Sequence, residues 1–272
     1  MIFEDDDFVY YYKHLRSSNG SRAVISEGTI SFTNPSKFND PFDCKYGVDD
    51  SYFPNAGAVK ELFVRQGVKP DSPAKRIQQA KKIKRVFRSS LEDESYFLDI
   101  NKRIGICCLN QNPLSVLMWS HYADYHKGFM VELKFPKKVP NGLGYEKFVP
   151  IEVIYSHSYP KINASDREKR SMVDKAYYTK SIEWSYEKEF RVVNHNISKN
   201  IDIYPRNQML TSVIAGVSIS EEDFSLLKLA VKKAEKDLDR EIPIYRATKV
   251  QGKYEITVPK HPRLDRNQWT KR

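Results

Sequence analysis

The densest set of side chains that could do chemistry lies at residues 184–191, which read Trp-Ser-Tyr-Glu-Lys-Glu-Phe-Arg. We predict a β-strand that begins near Tyr186. Its period of two would put Glu187, Glu189 and Arg191 on one face, with the carboxylates roughly 6.6 Å apart. Neighbouring carboxylates push their pKa values apart, which suits acid–base chemistry, and Arg191 could anchor an anion or a carboxylate. The pattern equally fits a half-exposed strand with a charged outer face.

A second group of aromatic and histidine side chains occupies residues 118–128. We predict a helix through Tyr122, in which Trp119 and Tyr122 are three residues apart and pack inward, so that His121 faces a cleft. A packed structural histidine is the alternative. His121 and His126 are five residues apart, about 500° of helical rotation, so their rings diverge. No metal site is therefore predicted.

The loop at residues 38–43 reads Phe-Asn-Asp-Pro-Phe-Asp. Asn39 and Asp40 are turn formers whose side chains bond the local backbone. Phe38 and Phe42 would pin this polar turn against the core, which is how a rigid binding loop is built. A purely structural turn explains the same residues.

A metal-dependent nuclease is an alternative function. Glu132 and Lys134 are two residues apart on a predicted strand, and Asp40 or Asp43 lies upstream. A Glu-x-Lys pair with an aspartate is a set that binds a metal and activates water.

The net charge of +10 arises from 45 Lys and Arg against 35 Asp and Glu. Residues 75–88 predict a helix without any acidic residue, whose apolar face is formed by Ile77, Ala80, Ile83 and Phe87. The basic side chains of that helix are Lys75, Arg76, Lys81, Lys82, Lys84, Arg85 and Arg88. They could contact a nucleic-acid backbone in a salt-dependent manner, or form a solvated face.

Composition places the chain among globular proteins, with 40% hydrophobic and 29% charged residues. The three cysteines include the adjacent pair Cys107 and Cys108, which does not suit a disulfide framework. The acidic amino terminus is unlike a secretory signal, and no apolar run approaches the ~20 residues of a membrane span. We expect a cytoplasmic protein that does not associate with a membrane.

The hydrophobic pattern predicts one α+β domain over residues 1–272, with a helical insertion at 50–100 and a flexible basic tail at 260–272. Strands are predicted at 8–14, 29–33, 104–109, 129–135, 151–155, 186–193, 213–217, 242–245 and 254–258. Helices are predicted at 22–27, ended by Gly28, and from Asn112-Pro113 through Tyr122, ended by Gly128. A further helix is predicted after Ser220, which occupies a capping position, and its inner stripe is Phe224, Leu227, Val231, Ala234 and Leu238.

Several blocks together resemble a widespread bacterial family catalogued only as a domain of unknown function. The likeness runs from about residue 10 to residue 220 and brings no function with it. The blocks are Tyr12-Lys13-His14, Phe38-Asn39-Asp40-Pro41-Phe42, Met118-Trp119-Ser120-His121-Tyr122-Ala123, Lys127-Gly128, Lys180-Ser181 and Trp184-x-Tyr186-Glu187-x-Glu189-Phe190-Arg191.

More remotely, the chain resembles the ADP-ribosyltransferase superfamily, in particular its DNA-targeting toxins. The likeness rests on the opening strand, helix, Gly28 and strand, and on the late run Glu189-Phe190-Arg191-Val192. It implies a split mixed or antiparallel β core with flanking helices. It also implies that NAD is the substrate, that Glu189 is catalytic and that Glu187 is the first glutamate of the motif. The implied cofactor-binding residues are Tyr12, Lys13, His14, Asn39, Asp40, Trp119, His121, Tyr122 and Arg191.

The leading hypothesis is therefore an NAD-dependent ADP-ribosyltransferase that acts on a nucleic acid or a protein, in a toxin or phage-defence setting with a possible protein partner or antitoxin. A fixed carboxylate would stabilise the oxocarbenium charge that develops when the nicotinamide–ribose bond breaks. Removing such a group costs ~2.7–4 kcal/mol of transition-state stabilisation. The nuclease remains an alternative, as does a non-catalytic nucleic-acid or protein-binding module in which Arg191 neutralises the acidic pair.

Overall fold

The computed structural model describes residues 4–48, 72–95, 101–139, 144–162, 175–195 and 200–269, together with residues 57, 60, 64, 98 and 142. The chain divides into two compact units, each made of more than one segment. The first comprises Met1–Thr33, Ile106–Val153 and Glu183–Arg272, and the second comprises Asn34–Gly105 and Ile154–Ile182. The second unit includes the insertion that we predicted at residues 50–100.

Short strands outnumber helices among the described residues. The strands are β1 Phe8–Leu15, β2 Thr29–Ser31, β3 Gly47–Val48, β4 Gly105–Asn110, β5 Phe129–Pro136, β6 Ile151–Glu152, β7 Ile154–Ser156, β8 Lys161–Ile162, β9 Thr179–Ser181, β10 Glu189–Asn194, β11 Ile201–Ile203, β12 Leu210–Ala215, β13 Ile244–Arg246, β14 Thr248–Lys249 and β15 Ile256–Thr257. The α-helices are α1 Asn19–Ser26, α2 Pro73–Glu92, α3 Val116–Tyr122, α4 Arg206–Met209, α5 Glu221–Leu238 and α6 Arg266–Trp269. The 3₁₀ helices are Pro35–Lys37, Tyr145–Lys147 and Ile182–Glu187.

A seven-stranded sheet organises the first unit, in the order β13-β12-β5-β1-β4-β10-β6. The central strand β1 pairs antiparallel with both β4 and β5. At one edge β12 pairs parallel with β13, so the sheet is mixed. The mixed sheet and its helices confirm the predicted α+β class.

One face of this sheet is apolar and carries α1 and α5. Leu227, Val231 and Ala234 of α5 are buried in the same hydrophobic cluster as the inward residues of β5 and β12. Ser220 caps α5 as predicted, because its side chain accepts a hydrogen bond from the Asp223 amide at 3.0 Å. The spacing of the apolar residues in α5 thus correctly predicted which side of the helix is buried.

The opposite face of the sheet carries a row of polar side chains between its apolar ones. Strand register places Tyr12 beside Asn110 on one side and beside Glu132 on the other, and Glu132 beside Ser212. Trp119 packs on the same face. Side chains of paired residues lie on one face of a sheet, so four strands contribute neighbouring polar groups.

The second unit contains two parallel strand pairs, β3 with β8 and β7 with β9. The described part of the predicted insertion is largely helix α2, and the remainder lies outside the described residues. The apolar face predicted for α2 is not buried as a whole, because Ile77 and Ile83 are 48% and 43% exposed. Ala80 and Phe87 are the members of that set that are partly covered.

Two further predictions differ from the structure. Tyr186 and Glu187 belong to a 3₁₀ helix, and β10 begins only at Glu189. The predicted flexible tail at 260–272 is instead packed where it is described, because His261 and Leu264 are fully buried. None of the helices among the described residues has both the length and the apolar character that crossing a bilayer requires.

Candidate functional site

Glu189 and Arg191 face the same way on β10, as the strand period predicted. Arg191 Nε donates to Glu189 Oε1 at 2.8 Å and Nη2 donates to Oε2 at 3.1 Å, which is a bidentate ion pair. Glu189 is 3% and Arg191 0% exposed. The charged side of this strand is therefore the buried side, and not the outer face of a half-exposed strand.

Glu187 is held by a residue from a different part of the first unit. The Tyr122 hydroxyl donates to Glu187 Oε1 at 2.5 Å. Tyr122 is the last residue of α3, whose first turn is capped by Ser115. Burial raises the pKa of Tyr122, and the negative charges of Glu187 and Glu189 raise it further, so the hydroxyl remains a proton donor.

Cys108 completes this group of side chains. Burial raises the pKa of the Cys108 thiol, and the neighbouring Glu189 carboxylate raises it further, so the thiol stays protonated. Lys13 Nζ donates to the Cys108 carbonyl at 3.0 Å, but residues alternate along β1, so the Lys13 side chain lies on the face opposite Tyr12. We call Cys108, Tyr122, Glu187, Glu189 and Arg191 the acidic cluster. No role in a site was predicted for Cys108, although it is two residues before Asn110 on β4 and therefore on the same face of the sheet.

The short segment that links the two glutamates is anchored on both sides of Glu187. Asn112 Nδ2 donates to the Tyr186 carbonyl at 2.6 Å, and the Gln111 amide donates to the Lys188 carbonyl at 3.0 Å. Lys188 itself has a φ of 46°, a left-handed conformation that costs a non-glycine residue roughly 1–2 kcal/mol. This turn at Lys188, rather than a continuous strand, lets both carboxylates point into the protein.

His121 is exposed and lies in a partly exposed aromatic patch beside the acidic cluster. Its ring centroid is 6.4 Å from that of Trp184 and 6.4 Å from that of Tyr186, and the rings of Trp184 and Tyr186 are 6.0 Å apart. His126 lies beyond α3, where its Nε2 is 3.0 Å from Ser120 Oγ. Across the described residues, no three His, Cys, Asp or Glu side chains are grouped so that they could hold a metal ion.

Tyr12, His14 and Trp119 were predicted to bind a cofactor, and all three are buried. His14 Nδ1 is 3.1 Å from Asn110 Nδ2, and the His14 ring meets Trp119 edge-on at 4.9 Å. Burial lowers the pKa of His14 to about 3, so the ring is neutral near pH 7. The structure places these side chains in the packed layer next to the acidic cluster.

Asn39 and Asp40 belong to the second unit, as do the basic residues of α2. Asn39 is exposed, whereas Asp40 is buried and its Oδ1 accepts from the Phe42 amide at 2.8 Å, as expected of a turn. Phe42 is 66% exposed, so the prediction that it pins the loop against the core is wrong. On α2, Lys75, Lys81, Lys82, Arg85 and Arg88 are exposed, and Arg76 and Lys84 are partly covered.

Glu132, the key residue of the nuclease hypothesis, is fully buried and surrounded by donors. Arg263 donates to its two oxygens at 2.8 and 2.7 Å, and Tyr12 donates to Oε1 at 2.9 Å. Thr211 and Ser212 donate to Oε2 at 2.6 and 3.0 Å. A carboxylate with about four acceptor positions is saturated by these contacts, so this geometry does not favour a metal-binding role.

A family model described as "Protein of unknown function (DUF2971)" matches residues 118–192. The match begins within α3 and includes Trp119, His121 and Tyr122, together with the run that carries Glu187 and Glu189. It confirms the predicted resemblance to a domain of unknown function over this segment. No curated protein and no solved structure matches the chain.

Proposed function

We propose that this protein is an NAD-dependent ADP-ribosyltransferase-like enzyme whose reaction takes place at the acidic cluster. The observation that carries the proposal is the convergence of Tyr122, Glu187 and Glu189 beside Cys108. Tyr122 donates to Glu187, and both Tyr122 and Glu189 interact electrostatically with the Cys108 thiol. The two glutamates are far along the chain from Cys108 on β4 and from Tyr122 on α3. Convergence of polar groups with shifted pKa values is typical of functional sites.

Glu189 is the catalytic residue of this proposal. Its carboxylate is held in one orientation by the bidentate contact with Arg191. As the nicotinamide–ribose bond breaks, positive charge develops at the anomeric carbon, and a fixed carboxylate in a poorly solvated site stabilises it strongly.

Glu187 and the aromatic patch have supporting roles. The hydrogen bond from Tyr122 orients Glu187, whose role in this proposal is to position the acceptor nucleophile. His121, Trp184 and Tyr186 offer partly exposed ring faces next to Glu187, on which the nicotinamide ring would stack.

The acceptor in this proposal is a nucleic acid, bound through the exposed basic residues of α2. These residues and the absence of acidic residues from 75–88 support contact with phosphates. The proposal also includes a protein as the acceptor. It places the enzyme in the cytoplasm as a toxin or phage-defence effector that a partner protein or antitoxin inhibits.

Nicotinamide release from NAD by the purified protein tests the catalytic proposal. Glu189→Gln keeps the shape of the side chain and removes its charge, so the rate should fall by about 10²–10³. Glu152→Gln is the matched control, because Glu152 is an exposed carboxylate on the neighbouring strand β6, paired with Phe190. Full activity in Glu189→Gln would contradict the assignment.

A non-catalytic binding module is the second candidate, and the Glu189–Arg191 ion pair favours it. A carboxylate that is neutralised within its own strand needs no substrate to explain it. This candidate predicts no nicotinamide release with any acceptor. It also predicts that Glu189→Gln lowers the free energy of unfolding without changing ligand affinity.

A further inference from the structure

We propose that a cleft of about 400 Å³ in the first unit binds a nucleoside phosphate. The volume lies within the range of small-ligand sites, ~300–1,000 Å³. The cleft is distinct from the acidic cluster, since none of the residues of that cluster lines it. Its walls are formed by residues 111–117 together with Lys188, Tyr254, Glu255 and Arg266.

The charges of the cleft favour an anion. Lys188 and Arg266 are cationic, and Glu255 is the single carboxylate of the lining. Arg266 is fixed in place, because its Nη1 is 3.1 Å from Glu255 and its Nε donates to the Ile256 carbonyl at 2.8 Å. Lys188 is exposed and supplies the further positive charge. A phosphate at Lys188 would therefore form a charge-assisted contact.

The remaining walls suit a nucleoside. Pro113, Leu114, Val116 and Leu117 are apolar, and Leu117 is half-exposed. Tyr254 is fully exposed at the cleft, with a ring face on which a base can stack. Gln111 and Asn112 are amides whose nitrogens donate to the Tyr10 and Tyr186 carbonyls, which directs their oxygens to accept from a ligand donor.

The cleft is physically linked to the proposed active site, and this step rests on the proposed function. Gln111 and Asn112 line the cleft and hydrogen-bond the backbone on either side of Glu187. A ligand that contacts Gln111, Asn112 and Lys188 therefore stabilises the turn that holds both glutamates in place. We therefore expect a ligand bound in the cleft to raise the rate of NAD cleavage.

Two sources could supply this ligand, a free nucleotide or one nucleotide of a single-stranded nucleic acid. Calorimetric titration of the full chain with AMP, ADP-ribose and a hexadeoxyadenylate strand separates them. Tighter binding of the strand, displaced by AMP, assigns the cleft to nucleic acid. Tighter binding of ADP-ribose that Lys188→Asn weakens, with the strand unable to compete, assigns it to a free nucleotide. Either result supports the proposal.

Variants make the test specific to the cleft. Lys188→Asn removes the charge and keeps a residue that tolerates positive φ, so AMP affinity should fall by about tenfold while adenosine affinity stays unchanged. Tyr254→Ala should weaken both AMP and adenosine. Lys232→Gln, an exposed lysine of α5, is the matched control and should bind as the unmodified chain does.

Absence of AMP and strand binding at millimolar concentration would overturn the proposal. Binding that neither Lys188→Asn nor Tyr254→Ala alters would overturn it as well. The proposed function fails separately: if Glu189→Gln and the unmodified chain bind AMP equally and neither releases nicotinamide, the cleft is a nucleotide site on a protein that does not cleave NAD.

Discussion

Tyr122 and Glu187 are 65 residues apart in the chain, yet the Tyr122 hydroxyl donates to Glu187 Oε1 at 2.5 Å. This bond joins the end of α3 to the 3₁₀ helix Ile182–Glu187. Because burial and the nearby carboxylates raise the pKa of Tyr122, the hydroxyl donates throughout the physiological pH range. Glu187 is thereby held in one orientation next to Glu189.

Tyr122→Phe should lower the free energy of unfolding by about 1–3 kcal/mol, because it leaves a buried carboxylate without one of its donors. Urea denaturation followed by circular dichroism measures the change. Tyr125→Phe is the matched control, since Tyr125 is exposed and its hydroxyl should contribute within ~0.5 kcal/mol. Equal stability of the two variants would show that the Tyr122 bond contributes little.

Arg263→Met should destabilise the protein by about 3–5 kcal/mol, because it leaves Glu132 charged, buried and without its cationic partner. Adding Glu132→Gln should restore part of the loss. The comparison is Arg246→Gln, which breaks the surface ion pair with Glu221 and should cost under ~1 kcal/mol. If the effects of Arg263→Met and Glu132→Gln on the free energy of unfolding are additive, the two side chains are not energetically coupled.

Limited proteolysis of Arg263→Met gives an independent measurement of the same contact. Arg263 and the buried His261 attach the segment after β15 to the sheet through Glu132. Cleavage near residue 260 should be faster than in Arg246→Gln at equal protein concentration. Unchanged cleavage would mean that other contacts hold this segment.

His14 should make the protein less stable as the pH falls below about 6.5. Its folded pKa of about 3 is below the unfolded value of 6.5, so the unfolded chain takes up a proton that the buried ring does not accept. The loss approaches ~1.4 kcal/mol per pH unit, or about 2 kcal/mol between pH 6.5 and pH 5. Well above pH 6.5 the ring is neutral in both states and no longer contributes to the pH dependence.

Urea denaturation at pH 7.5 and at pH 5 measures this effect, and His14→Phe should reduce the difference between the two. Burial also lowers the pKa of His126, so His126→Gln is the parallel variant, with a smaller reduction because this ring is only partly buried. If His14→Phe retains the full difference, other groups cause the pH dependence.

The basic face of α2 should make nucleic-acid binding depend on salt. Replacing Lys81, Lys82 and Arg85 with glutamine should reduce the slope of log K against log salt concentration by about 0.9 per lost contact with duplex DNA. The matched control replaces Lys228, Lys232 and Lys236 of α5 with glutamine, which also removes three positive charges. Equal slopes for the two triple variants would assign the binding to net charge alone.

Elements with one dominant pattern were predictable from the sequence. The apolar spacing and the Ser220 cap of α5 predicted that helix and its buried face, whereas the alternation in β5 predicted the strand but not the burial of both its faces. The 3₁₀ helix at Ile182–Glu187 was not predictable, because the same letters also fit a strand of period two. The left-handed φ of Lys188 has no sequence signal, since lysine rarely adopts it.

The burial of residues in helix α2 and in the carboxy-terminal segment 260–272 was not predictable for a second reason. The spacing of Ile77, Ala80, Ile83 and Phe87 describes an apolar stripe, yet only Ala80 and Phe87 are partly covered. The packing of residues 260–265 depends on Arg263 reaching Glu132, 131 residues away. Local patterns contain no information about such a partner.

The sequence by itself determined that Glu189 and Arg191 share a face, because the period of a strand is a local property of the chain. The tertiary structure decided that this face is the buried one and that Tyr122 and Cys108 meet it there. Strand order and register are set by contacts between distant segments, and these contacts decide which side chains are removed from water. The acidic cluster therefore forms only when the strands pair, and no single segment of the sequence indicates it.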